Sequence, residues 1–392
     1  MSTVIVSACR TPFGAFGGRL RDLPATDLGS IVIRRSLERA GIPGSSVDYV
    51  LMGMVVQSGA GQIPSRQASL KAGLPPSVPS DTINKVCASS LRAVNMADMM
   101  IRSKDAKVVV AGGMENMSAV PYYLPQVRWG ARLGNSRAVD GVVYDGLTCP
   151  FYDRHMGVHG DFIAKRYGIS REEQDRWALS SQMKYARARE AGFFNSEIEP
   201  VTIRDKKGNQ TQFSEDEHPR PDTTLERLAN LRPAFSPDGT VTAGNAPGIN
   251  DGAAALLLMD EVEAERLSLS PLARVVSTGA VSAEPAELGI VPAMSAEQAL
   301  KKAGLTWDDM AAVEINEAFA AVTLCSIKVA GIDPGKVNVN GGAIAVGHAI
   351  GASGARILMT LIYELRNRGG GLGLACICSG AAQGEATLVE VF

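Results

Sequence analysis

Four side chains of the 392-residue sequence have types and surroundings suited to chemistry: Cys87, His348, Cys378 and Asn316. Cys87 opens the run "ASSLRAVNMADMMIRS", whose spacing predicts a helix starting at the cysteine. Unpaired amides and the positive dipole end of a helix favour thiolate over thiol, so Cys87 reads as a nucleophile. A lone cysteine also reads as a small buried hydrophobe. His348, one of only four histidines, lies in the glycine- and alanine-rich stretch "VNVNGGAIAVGHAIGASGARIL". It reads either as a base or as a structural histidine, and so little side-chain bulk would let an extended substrate arm reach the imidazole. Its spacing, Gly347-x-x-x-Gly351-x-x-Gly354, is not the G-x-G-x-x-G of a dinucleotide site. Asn316 ends the strand-like "AAVEIN" and either serves the site or caps the helix predicted next. Cys378 ends "LGLACIC"; its Cys-x-Cys spacing with Cys376 is only a weak metal hint, since two cysteines alone do not make a ligand set, and no metal is expected.

These groups need elements to hold them. Helical stretches alternate with β-rich runs such as "KVVVAGG" and "MAAVEIN", the pattern of an α/β protein with buried sheets. The chain is also duplicated. "SLERAGIPGSSVDYVLMG" (36–53) and "ALKKAGLTWDDMAAVEIN" (299–316) share an amphipathic helix, an Ala-Gly exit, a polar turn and a strand. The same offset sets 86–94 beside 349–357 and 107–116 beside 370–379, whereas the last strands, 251–261 and 383–392, correspond at a much smaller offset. The first half therefore carries an insertion between roughly residues 118 and 250. The predicted organisation is residues 1–117 plus 250–270 as one core half, 118–249 as an inserted lobe, and 271–392 as the second half. In such sheets chemistry collects beyond the carboxyl ends of the strands, where all four groups fall.

The totals set bounds. Lys+Arg 39 against Asp+Glu 41 leaves no overall basic field, so a nucleic-acid binder is not expected. No apolar run is long enough to span a membrane, six scattered cysteines suit a reducing compartment, and the N-terminus has no leader-like pattern; the expected location is the cytoplasm.

The sequence resembles the thiolase family. The resemblance rests on "RTPFGAFGG", "NKVCASSLRA", "GGMENMS", "HMG" (155–157), "LRPAF" (231–235), "VTAGNAPGINDGAAA" (241–255), "INEAFA" (315–320) and "NGGAIAVGHAIGASGARI", in order along nearly the whole chain. It implies two duplicated α/β half-domains layered α-β-α-β-α, with an inserted loop domain, and a thioester-exchanging Claisen enzyme. Cys87 would take the acyl group, His348 would activate it, and Cys378 would move the α-proton. Asn316 would hold a water that joins His348 Nε2 on the thioester oxygen, and the amides of Cys87 and Gly380 would form a second oxyanion hole. Leu147, His155, Met156, Phe235, Ala243, Leu288, Ala318 and Phe319 would line the pantetheine and acyl pocket. Arg220 would meet the phosphates of coenzyme A, in a lobe made locally basic by Lys206, Lys207 and Arg227. Coenzyme A and acetyl-CoA are implied as substrates with no permanently bound cofactor, and a homo-oligomer, dimer or tetramer, as the assembly.

The chain departs from the family pattern in four places. Ala349 follows His348 where proline is usual, which loosens φ beside the base. Ala381 and Ala382 follow Gly380 where glycines are usual, and would be strained at positive φ. Pro247 replaces a serine that commonly contacts pantetheine, and Leu288 stands where short-chain members often carry Met. The leading expectation is an acetyl-CoA acetyltransferase; the alternatives are a 3-ketoacyl-CoA thiolase of longer chain length and an inactive CoA-ester-binding protein.

Overall fold

The structure, a computed structural model, describes residues 2–204 and 207–392. Its centre is one mixed sheet of ten strands. In the first half the strands run outward from the middle as Thr3–Arg10, Asn250–Asp260, Val108–Asn116, Tyr49–Gly53 and Ser80–Ile83. In the second half they run outward as Ala273–Ser282, Gln383–Val391, Gly371–Ser379 and Ala312–Ile315. Both halves therefore place first strand, last strand, next-to-last strand and second strand in the same order, with two antiparallel pairings followed by a parallel one. The fifth strand of the second half has shrunk to a single parallel bridge between Val313 and Val337.

The two half-sheets join edge to edge, because Thr3–Ile5 pairs antiparallel with Ala273–Val275. Each of these strands then slips register at the equivalent place, between Ile5 and Ser7 and between Val275 and Ser277. Such bulges bend a strand and increase its twist, so the halves part after three residue pairs.

Three apolar cores give the layering. Ser89–Ser103 and Ser353–Asn367, the helices that follow the two reactive loops, pack on each other in the core shared by both halves. Ala25–Ala40 closes the outer core of the first half, and Val291–Ala303 that of the second. Both outer helices end at the glycine of the repeated Ala-Gly exit, Gly41 at φ 68° and Gly304 at φ 70°. Glycine adopts this left-handed cap without a Cβ penalty, which is why the two exits look alike in sequence. The described residues of 118–249 supply no strand to the large sheet; their short strands pair among themselves, around the helices Met156–Arg166 and Arg171–Glu190.

Candidate active site

Cys87 sits on a tight turn between the strand Ser80–Ile83 and the helix Ser89–Ser103. The helix begins two residues after the cysteine rather than at it, as the spacing had suggested. The turn forces Val86 to φ 43°, an unusual conformation for a β-branched residue. Hydrogen bonds hold it there: Asn84 Oδ1 accepts from Val86 N (3.0 Å), while Ser89 Oγ accepts from Lys85 N (2.8 Å) and donates to Val86 O (2.6 Å). The turn is pinned to the second half as well. Ser379 Oγ donates to Lys85 O at 2.5 Å, and Lys85 Nζ meets the buried Glu385 at 2.5 Å. Glu385 also accepts from Asn95 Nδ2 at 2.9 Å. A charged residue within the apolar strand "QGEATLVEV" was the available sequence signal for this tie. Replacing Glu385 with alanine leaves the Lys85 charge without its buried partner, and is expected to cost about 3 kcal/mol in denaturant unfolding.

His348 is held from both sides. Asn250 Oδ1 accepts from His348 N at 2.8 Å, and Ser353 Oγ lies 2.7 Å from its Nδ1. Its Nε2 is buried with no hydrogen-bond partner among the described residues. The glycines of this loop serve the protein rather than a substrate arm, which corrects the reading from the sequence. A Cβ on Gly347, itself at φ 107°, would lie 2.6 Å from the Asn250 side chain. One on Gly351 would lie 2.6 Å from the buried carboxylate of Glu115, which accepts from Val55 N (2.9 Å) and Val56 N (3.2 Å). Bareness lets the loop settle onto the first half-sheet.

Cys378 is fully buried near the end of Gly371–Ser379, in a core separate from that of Cys376. Beyond it Ala381 and Ala382 take φ 60° and 47°, the left-handed strain foreseen for methyl-bearing residues there. Asn316 follows the strand Ala312–Ile315 and donates its own N–H to Cys376 O at 3.0 Å. It does not cap a helix, since the next one starts at Ala320 behind Phe319. Its side chain is buried with neither Nδ2 nor Oδ1 partnered among the described residues. Buried polar groups are nearly always bonded, so these atoms of Asn316 and His348 are left open to a further hydrogen bond. Glu317 keeps Asn316 in register: it accepts from Trp177 Nε1 (2.9 Å), Ser181 Oγ (2.8 Å), Asn338 Nδ2 (3.1 Å) and Ile344 N (2.9 Å).

One narrow, mainly apolar cavity of about 210 Å³ brings Cys87, His348, Cys378 and Gly380 together. Of the residues expected to line a pantetheine and acyl pocket, Leu147, His155, Met156, Phe235, Leu288, Ala318 and Phe319 do so, and Pro247 joins them. Ala243 and Arg220 do not: both are exposed and outside the cavity wall, and Asn316 is fully buried and not among the residues that line it. Lys206 lies outside the described residues, and the Arg227 charge is engaged by Asp222. The sequence reading passed over Met117, Ile249 and Ile350, apolar wall residues with no chemical signature. Three separated motifs meet in a ring stack. His155 lies on Phe235 with centroids 4.5 Å apart, and Phe235 meets Phe319 edge-on at 6.2 Å. Gly157 is required beneath them, since a Cβ there would strike the Phe235 ring at 2.2 Å.

Electrostatics correct one expectation. Burial pushes the Cys87 thiol up to about 12, although its own amide and that of Gly380 pull the other way. The helix N-terminus therefore does not make a resting thiolate. Cys378 is raised well above the usual thiol range, first by burial and then by Cys87. Burial, with the Arg356 charge second, drives His348 down to about 3, so its imidazole is neutral at any working pH. The arrangement is a protonated thiol, a neutral base and two backbone amides aimed at the sulfur, which is the equipment for acyl transfer.

Comparison with known proteins identifies the family. The family model described as "Thiolase, N-terminal domain" matches residues 3–262 and "Thiolase, C-terminal domain" matches 269–391. The chain is 49% identical over 383 residues to an acetyl-CoA acetyltransferase of Pseudomonas aeruginosa, covering 98% of each. It is 50% identical over 388 residues to one of Escherichia coli K12, covering 99% of this chain and 98% of that one. A crystal structure of the Bacillus anthracis acetyl-CoA acetyltransferase superimposes with a TM-score of 0.98 at 41% identity, covering 100% of this chain and 99% of the other. With two matching models that together span almost its entire length, this chain belongs to the thiolase family.

Proposed function

We propose that this chain is an acetyl-CoA C-acetyltransferase that interconverts two acetyl-CoA with acetoacetyl-CoA and free CoA through an acetyl thioester on Cys87. The observation that carries this reading is the single narrow cavity where two thiols and a neutral imidazole meet. In the first half-reaction His348 Nε2 takes the Cys87 proton as Sγ bonds to the acetyl carbonyl. The bond from that carbonyl to the CoA sulfur breaks, and the departing sulfur receives the proton. The amides of Cys87 and Gly380 hold the oxyanion. In the second half-reaction Cys378 passes its proton to His348 Nε2 and then removes the α-proton of an incoming acetyl-CoA. The resulting carbanion attacks the acetyl carbonyl, and the departing Cys87 sulfur receives the proton from His348, so that both thiols and the neutral imidazole are restored. Asn316, through a water, and His348 Nε2 face the thioester oxygen. Leu147, Met156, Phe235, Pro247, Leu288, Ala318 and Phe319 guide the pantetheine arm with His155, while Arg220, on the exterior, meets the phosphates of coenzyme A.

The small cavity favours short acyl groups, with Leu288 and Met156 in its wall. A substrate-length series tests this: CoA-dependent cleavage is expected to be fastest with acetoacetyl-CoA, and a strong preference for long 3-ketoacyl-CoA contradicts it. The reading extends to a homo-oligomer joined through the inserted lobe. Tyr122, Leu124, Trp129, Leu133, Tyr144 and Phe151 are all exposed there, and large exposed apolar groups gathered in one segment suit an interface. Sedimentation as a monomer would exclude this. No helix among the described residues is long and apolar enough to cross a membrane, and all six cysteines are free, which supports a reducing, cytoplasmic setting.

A further inference from the structure

The loop that carries His348 contains a polar residue that the acyl-transfer reading leaves without a task. Ser353 is fully buried at the start of the helix Ser353–Asn367. Its hydroxyl oxygen lies 2.7 Å from His348 Nδ1 and 2.9 Å from Ala349 O. A serine hydroxyl has one proton to give and lone pairs to receive with. A carbonyl oxygen can only accept, so the contact with Ala349 O uses the Ser353 proton and leaves a lone pair of the hydroxyl for the imidazole.

The other ring nitrogen decides the matter. His348 Nε2 is buried and has no hydrogen-bond partner among the described residues. A neutral imidazole has a single N–H, and a buried donor with no acceptor costs about 1–3 kcal/mol. Placing the hydrogen on Nε2 would incur that cost in the resting enzyme. Nε2 is unpartnered in either tautomer, but a hydrogen on Nδ1 is given to Ser353 while Ser353 keeps its bond to Ala349 O, whereas a hydrogen on Nε2 sets two lone pairs against each other at Nδ1 or breaks that bond.

We propose that Ser353 is the positioning residue that fixes the tautomer of His348, holding the hydrogen on Nδ1 so that Nε2 faces the cavity as a base. When Nε2 takes the Cys87 proton, the ring becomes imidazolium with N–H groups on both nitrogens. The Nδ1–H stays on the Ser353 oxygen, and the Nε2 proton passes to the departing CoA sulfur, so no proton is gained or lost at Ser353. A neutral hydroxyl orients the ring without a carboxylate's pull toward the protonated form, and it leaves the imidazole free to release the proton again. The inference rests on the acyl-transfer reading, since it gives Nε2 its work.

Nitrogen-15 NMR of the wild-type protein labelled at histidine, together with acetylation kinetics, tests it. In the wild type the His348 Nε2 resonance is expected in the unprotonated range near neutral pH, with Nδ1 carrying hydrogen. In Ser353→Ala the hydrogen loses its acceptor, Nε2 is expected to gain protonated character, and acetyl transfer to Cys87 to slow about ten- to hundredfold. The KM for acetyl-CoA is expected to stay within about twofold, because a fault in the base acts on the chemical step. Ser353→Thr retains a hydroxyl and is expected to recover most of the rate. A resting wild-type enzyme with hydrogen on Nε2 overturns the inference, whether or not the variants fold, and so does a Ser353→Ala enzyme that acetylates at the wild-type rate. A wild-type protein that never acetylates on Cys87 defeats the acyl-transfer reading instead.

Discussion

A Cys87→Ser enzyme is expected to lose acyl transfer by about 10⁴-fold or more, measured as CoA-dependent cleavage of acetoacetyl-CoA, while still binding that substrate. The size of the effect follows from the state of the sulfur. Burial holds the thiol at about 12, so the wild type depends on His348 to remove its proton during the reaction. A serine hydroxyl is a far weaker acid than any thiol, and the same neutral base cannot activate it to a comparable extent. The oxyanion-hole amides, the aromatic stack and the cavity wall are untouched by the exchange of sulfur for oxygen. Binding and thermal stability are therefore expected to stay near wild type. A variant that unfolds, or one that retains a tenth of the activity, would mean that Cys87 is filling space rather than carrying the acyl group.

His348→Asn is expected to slow acetylation of Cys87 by about 10²- to 10⁴-fold, the usual worth of a general base. Its pH dependence separates a lost base from a damaged fold. In the wild type the imidazole is neutral down to about 3, so its protonation does not shape acetylation across the working range. Without it, the reaction has to use the thiolate that forms spontaneously. With the thiol at about 12, that fraction rises nearly tenfold for each pH unit below it, and the variant's rate is expected to climb in proportion. Stability moves as well. The folded-state pKa of His348 is depressed from 6.5, so the neutral ring contributes stability that is present above 6.5 and is lost as pH falls toward 3. The asparagine variant lacks that term, and its unfolding free energy is expected to fall less steeply over the same window. A pH-independent rate in the variant would contradict the assignment of the base.

The duplication was readable in the sequence because each repeat must build the same helix cap and the same strand order. Gly41 and Gly304 end equivalent helices in equivalent left-handed conformations, and a local requirement of this kind leaves a local mark. Cys87, Cys378 and Asn316 were legible for a similar reason, since each stands at or next to the end of a strand or the start of a helix, and His348 because a lone imidazole stands out in a glycine-rich loop ahead of a helix. What supports them was harder to see. Asn250 holds His348 from nearly a hundred residues away, and Glu385 steadies the Cys87 turn from three hundred. Neither partner lies near its target in the chain, and hydrogen-bond pairing has no period to detect. Glu115 and Glu385 did leave a trace, as buried charged residues inside strands that are otherwise mostly apolar or small. The glycines around His348 were noticed but misread, because a bare backbone looks the same whether it makes room for a ligand or for another part of the protein. The protonation of Cys87 was misread because a helix dipole is visible in sequence, whereas the burial that outweighs it is a property of the finished fold.

Mass analysis of peptides after a brief exposure of the wild-type protein to acetyl-CoA bears most directly on the central claim. One acetyl group is expected on the peptide containing Cys87, removed on addition of free CoA and absent from the peptide containing Cys378. An unmodified Cys87, or an acetyl group that appears on another cysteine and is released by CoA from there, would contradict the account.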